Sequence, residues 1–224
     1  MVSLVTYAAD VGSVAKGSFA WARVASGEPT SVGEGREALD GLVASLQSDI
    51  TAGRRVTLGW EAPLFLAVRS DPQALTGARG PFERTRAVTA SGGTGSLVTG
   101  LLELAHLARR IPVPIVLGDQ PVDGALVVWE AFVSGRIEPC PPCEPAVVHG
   151  LHGCDAVTVA TAAHRWMLGA PTRAWMAAAT AAEVDWGDAP LMLDLVAAAG
   201  GRVALRDPTD AQVLVIQTAK PSHT

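Results

Sequence analysis

Apolar and polar positions change rhythm along this chain, and the changes mark its elements. Ser3 to Ala9 is apolar, rich in β-forming residues, and stops at Asp10. Val11–Gly12–Ser13 and Lys16–Gly17 read as a turn, and Ser18 to Val24 then alternates in strand fashion, so the two runs predict an antiparallel hairpin. From Glu34 to Ala52, Leu39, Leu42, Val43 and Leu46 recur at the spacing of one helix face. Arg54 to Trp60 predicts a strand. Pro63 to Gly95 shows neither period, and long stretches of that kind inside a domain are where function concentrates. Ser96 to Arg110 predicts a helix with Leu97, Leu101, Leu104, His106 and Leu107 on its apolar side; Arg109 and Arg110 suit the negative end of its dipole.

Val113–Leu117 and Leu126–Val133 predict strands, and Ser134 to Gly153 is a loop with prolines and cysteines. Helical patterns follow over 155–168, 172–183 and 189–199, and Val203–Leu205 with Val213–Ile216 predict a terminal hairpin. The first three strands are expected to be antiparallel neighbours, in a sheet drawn from 4–10, 18–24, 55–60, 113–117 and 126–133. No repeat, low-complexity tract or linker divides the chain, so residues 1–224 read as a single domain. The order of elements predicts an α/β class with a mixed central sheet flanked by helices.

Composition narrows the class. The 224 residues suffice for a substantial core, and with 49% hydrophobic and few aromatic residues, Ala, Val and Leu must fill it. A net charge of −5 argues against a strongly cationic coat for nucleic acid, while leaving room for a local basic patch. Three cysteines cannot all pair within the chain, which favours a reducing compartment. No basic segment precedes the first apolar run, which Asp10 interrupts, so no signal peptide is read. His164, Arg165 and Pro171 break the most apolar helical stretch short of the ~20 residues a membrane requires. These features predict a cytoplasmic protein with no membrane partner; they leave its oligomeric state open.

Four acids carry the chemistry. Asp10 ends the first strand, Glu61 follows VTLGW, Glu130 lies inside LVVWEAFVS, and Asp155 opens an alanine-rich helix. Carboxylates at the ends of apolar strands are costly to bury without a cation or a donor. Convergence of all four on Mg²⁺ or Mn²⁺ is the expectation, since hard divalent cations take oxygen ligands and serve phosphoryl chemistry. Arg69, Arg79, Arg84 and Arg86 then form a candidate arm for a phosphodiester, because guanidinium binds phosphate bidentately. Cys140-Pro-Pro-Cys143 with His149, His152 and Cys154 reads as free thiols in a loop, with His152 hydrogen-bonded near the acids; a structural zinc at Cys140, Cys143, His149 and Cys154 is the alternative. Ser91-Gly-Gly-Thr-Gly-Ser96 reads as a flexible turn before a helix. It lacks the lysine of a phosphate loop.

The segments YAADVGSVAKGSFAWARV, VTLGWEAPLFL, VVWEAFVSG and HGCDAVTVATAA resemble those of the ribonuclease H-like fold, and more narrowly a widespread prokaryotic family of predicted nucleases within it. The second is similar to that family's acid–Ala–Pro–Leu segment and the fourth to its His-x-x-Asp-Ala helix start. Together they touch about a third of the chain. Glu61 stands where many relatives carry Asp, and Gly153 and Cys154 stand where a second acid is expected. The resemblance implies Asp10, Glu61, Glu130 and Asp155 as metal ligands, with Lys16 or a loop arginine on the phosphate. It implies a metal-dependent phosphodiesterase acting on nucleic acid or another phosphorylated ligand. The alternative is a non-catalytic binding or regulatory module on the same scaffold.

Overall fold

A computed structural model describes residues 3–64, 91–118, 120–134, 150–170, 174–178, 203–204 and 212–217. Strand β1 (Leu4–Asp10) leads through a short 3-10 turn (Val14–Lys16) to β2 (Ala20–Ala25) and β3 (Ser31–Glu34). Helix α1 (Ala38–Thr51), β4 (Arg55–Trp60), helix α2 (Ser91–Ala108), β5 (Ile115–Leu117) and β6 (Leu126–Ser134) follow. Helix α3 (Leu151–Met167), β7 (Ala174–Ala178), β8 (Val203–Ala204) and β9 (Gln212–Gln217) come last.

Among the described residues, nine strands join one mixed sheet in which β3-β2-β1-β4-β6-β5-β8 are successive neighbours. β2 pairs antiparallel with both β1 and β3, whereas β4 is added parallel to β1 and β6 parallel to β4. On its far edge β6 pairs with β5 over its first half and with β9 over its second, and β9 also takes β7 antiparallel. The α/β class and mixed sheet agree with the sequence pattern.

Alternation along the strands separates two apolar layers. Val5, Tyr7 and Ala9 of β1, Val56, Leu58 and Trp60 of β4, and Leu126 and Val128 of β6 face α1 and α2, meeting Leu39, Leu42, Leu46, Leu104 and Leu107. The intervening residues Ala8, Ala22, Trp129 and Ala131 face α3, meeting Ala156, Val159, Ala160 and Ala163. Small side chains on both sides of this second layer let α3 lie close to the sheet. α3 runs from the Asp10 end of β1 back to Thr6, whose hydroxyl lies 3.0 Å from His164 Nδ1. Among the described residues no helix is long and apolar enough to cross a membrane.

Several expected elements are corrected. The strand at 55–60 is parallel to β1; the third antiparallel strand is Ser31–Glu34, so α1 starts at Ala38 rather than at Glu34. A four-residue strand containing glycine is too short to show a period. The glycine-rich run from Ser91 to Ser96 is the start of α2, not a turn. Glycine costs about 1 kcal/mol relative to alanine in a helix, and the packed half of α2, around Leu104 and Leu107, offsets it. α3 begins four residues before Asp155. The alanine-rich 172–183 segment, helical by propensity, contains β7, because pairing with β9 overrides that propensity. β8 and β9 do not pair with each other; they join β5 and β6. The helical pattern at 189–199 lies outside the described residues.

Candidate functional site

The C-terminal ends of β1 and β4 lie side by side, because Ala9 pairs with Trp60 in parallel register. Asp10 and Glu61 are the residues that follow that pair. The Glu61 amide donates to Ala9 O at 3.0 Å, so one backbone hydrogen bond ties their segments together. Asp10 shares the α3-facing side of β1 with Thr6 and Ala8. His152, in the first turn of α3, donates from Nδ1 to Asp10 Oδ2 at 2.6 Å. This is the arrangement near the acids that the sequence suggested for His152. Asp155 is one turn further on, on the same helix side as His152, with its Oδ1 shielded from water.

Glu130 is placed differently. It pairs with Trp60 and takes that residue's side of the sheet, toward α1 and α2 rather than α3. It is 2% exposed and accepts the Leu64 amide at 3.0 Å, so it anchors the chain just after Glu61. Glu130 therefore takes the α1–α2 side of the sheet, whereas Asp10 follows the α3-facing alternation of β1. The reason is strand parity: Glu130 lies an even number of residues from Leu126 and Val128, which face the α1–α2 layer. Among the described residues, no three His, Cys, Asp or Glu side chains are grouped to hold a metal ion.

Two acids absent from the candidate shell stand here instead. Glu34, at the end of β3, accepts the Gly153 amide on Oε1 at 2.8 Å and the Gly150 amide on Oε2 at 3.1 Å. It thus caps α3, whose own N-cap residue, Gly150, makes no side-chain cap bond. A Cβ at position 153 would meet Glu34 Oε1, so glycine lets Glu34 approach the helix start without shifting. Glu103 of α2 is 7% exposed, with no hydrogen-bond partner for Oε2. One turn before it, Gly100 is pressed against the residues that follow the two strand ends. A Cβ there would lie 2.5 Å from Ala62 Cβ and 3.4 Å from Val11 Cγ1.

The electrostatics follow from this crowding. Burial pushes the Asp10 carboxyl above its ordinary range, and the hydrogen bond and charge of His152 pull against that. Glu103 is pushed up to about 8, first by burial and then by the negative charge of Asp10. Asp10 thus stands where the two helical layers meet, bonded to α3 and acting on a carboxyl of α2. Glu103 carried a sequence signal: with Gly100, Leu104 and Leu107 it occupies the i, i+3, i+4, i+7 stripe of a helix core, where an acid is out of place.

Lys16 is exposed in the 3-10 turn that follows Asp10. Cys154 is a half-buried free thiol in α3. Arg69, Arg79, Arg84 and Arg86, and Cys140, Cys143 and His149, lie outside the described residues. No protein-family model, no curated protein and no solved structure matches the chain.

Proposed function

We propose that this chain is a Mg²⁺- or Mn²⁺-dependent phosphodiesterase acting on nucleic acid, built on a ribonuclease H-like scaffold. The scaffold reading is supported by three antiparallel strands followed by two parallel additions, with α3 over the face that bears Asp10. One observation carries the chemistry: Asp10 and Glu61 leave adjacent parallel strands one backbone hydrogen bond apart, under the helix that bears Asp155. The donors are all carboxylate oxygens, the set a hard cation takes. Burial that raises Asp10 marks a carboxylate better served by a cation than by partial hydration.

Asp10, Glu61 and Asp155 would hold the ion. When bound, it would supply an activated water and neutralise charge at phosphate. His152 orients Asp10, and Glu130 fixes the backbone after Glu61 through Leu64. Lys16 and the arginines Arg69, Arg79, Arg84 and Arg86 are assigned to the phosphodiester backbone, giving binding that weakens with salt and reads little sequence. The test is cleavage of single- and double-stranded DNA and RNA with Mn²⁺. The wild type is expected to cleave at least one of these, and Asp10→Asn to lose about 100-fold or more. Equal cleavage by both chains refutes the assignment.

A specific observation favours a second reading, a non-catalytic nucleic-acid-binding module. Glu34 and His152 satisfy the start of α3 and one oxygen of Asp10 without an ion. Its mark is binding that survives Asp10→Asn, with no cleavage by the wild type.

A further inference from the structure

We infer that Glu103, on α2, is a direct cation ligand that acts with Asp10 as the anchoring pair of the site. The inference rests on the metal-dependent reading above and adds a residue that none of the resembling segments contains.

Glu103 is 7% exposed on a helix whose other inward residues are apolar, yet its Oε2 has no hydrogen-bond partner. A buried carboxylate oxygen without a donor costs several kcal/mol, of order 1–3 even for a neutral group. Such a group is retained in a core where something absent from the bare chain satisfies it. No basic side chain pairs with Glu103 among the described residues. The charged group that acts on it is another acid, Asp10. Two like charges that act on one another in a buried setting repel, unless a cation lies between them or one holds a proton.

The neighbourhood is built for close approach. Gly100, one turn before Glu103, brings α2 against Val11 and Ala62, the residues after Asp10 and just after Glu61. A larger residue at 100 would lift the helix and withdraw Glu103 from Asp10. Two carboxylates suffice for this class of ion, because Mg²⁺ keeps several waters and is commonly held by one or two carboxylates plus substrate phosphate. The site so defined lies where α2 meets the end of β1, beside the segment that carries Glu61.

The test titrates Mn²⁺ alone into the full-length chain, following heat and the spectroscopic signal of free Mn²⁺, with wild type, Asp10→Asn, Glu103→Gln and Glu103→Asp. Wild type is expected to bind; Asp10→Asn and Glu103→Gln each to weaken binding by about tenfold or more; and Glu103→Asp, charged but shorter, to fall between. Glutamine matches glutamate in size and suits a core that needs only a neutral group, so a purely structural Glu103 predicts wild-type Mn²⁺ binding in Glu103→Gln. That result, with Asp10→Asn impaired, overturns the role of Glu103 and leaves the metal-dependent reading standing. No Mn²⁺ binding by a folded wild type overturns both. Mn²⁺ binding lost in both variants, without cleavage of nucleic acid by the wild type, supports the ligand role and removes the phosphodiesterase reading alone.

Discussion

Asp49 is a charge kept inside the core by its neighbours. It is 6% exposed on α1; it accepts Arg23 Nε at 2.8 Å and the Tyr7 hydroxyl at 2.6 Å on Oδ2, and Arg23 Nη2 at 3.0 Å on Oδ1. Burial raises its carboxyl, but the hydrogen bonds from Arg23 and Tyr7 outweigh burial and hold it below the usual aspartate range. Burial, then the bond to Asp49, raises Tyr7. Asp49→Ala leaves Arg23 buried without its main partner and is expected to cost about 3–5 kcal/mol in urea unfolding. A loss under about 1 kcal/mol would show that Arg23 finds solvent or Glu28 instead. The sequence displayed Asp10 and Glu61 because each follows an uninterrupted apolar run. It hid Asp49 and Glu103, which sit at helical spacing among leucines and register as polar gaps in a face. Which acids meet depends on strand register and helix contacts. The side of the sheet that Glu130 takes depends on the parity of β6, which the sequence alone does not show.

The start of α3 shows how one element depends on another. A helix start leaves amides without acceptors, and here the acceptor is Glu34, which β2 positions by pairing with β3. Glu34→Ala is expected to cost about 1 kcal/mol, the scale of a lost N-cap. Gly153→Ala pushes Glu34 Oε1 aside and is expected to cost up to about 1 kcal/mol, the scale of the lost cap. In the double variant the obstacle is gone, so Gly153→Ala should cost less when Glu34 is already alanine. Additive losses in urea unfolding would sink the idea that the two residues share one space. Elements with a long period, such as α1 and β4, were legible. β3 was too short to show a rhythm. β7 was composed of good helix formers and became a strand through its pairing partner, which lies more than thirty residues away.

At the scale of the molecule, buried titratable groups oppose one another across pH. His164 lies 3.0 Å from both Thr6 Oγ1 and Ser26 Oγ, and burial lowers its pKa from 6.5. Its contribution is full above 6.5 and is lost as pH falls through the lower folded value. Asp49 adds a loss at more acid pH, below its ordinary 3.8. Glu103 acts in the other direction: raised from 4.5 to about 8, it stabilises as the protonated acid, and that contribution disappears as pH rises through about 8. The Glu103 contribution is full only below 4.5, so its loss with rising pH overlaps and opposes the gain from His164. Glu103→Gln should remove part of the alkaline loss, on the order of 2 kcal/mol by about pH 9, while matching wild type near pH 4. Urea midpoints across that range check it; parallel curves for the two chains would show that Glu103 titrates as it does in water.

The far edge of β6 is shared by two strands made at very different times. β5, closing its first half, precedes it in the chain by a few residues, whereas β9, closing Glu130 to Ser134, is synthesised about eighty residues later. While β1 to α3 assemble, that half-edge offers a row of unpaired amides and carbonyls in a strand already fixed to β4 on its other side. A ribosome that pauses before residue 212 thus exposes a surface that another nascent copy can occupy. The fidelity of the sheet depends on how promptly the last strand arrives.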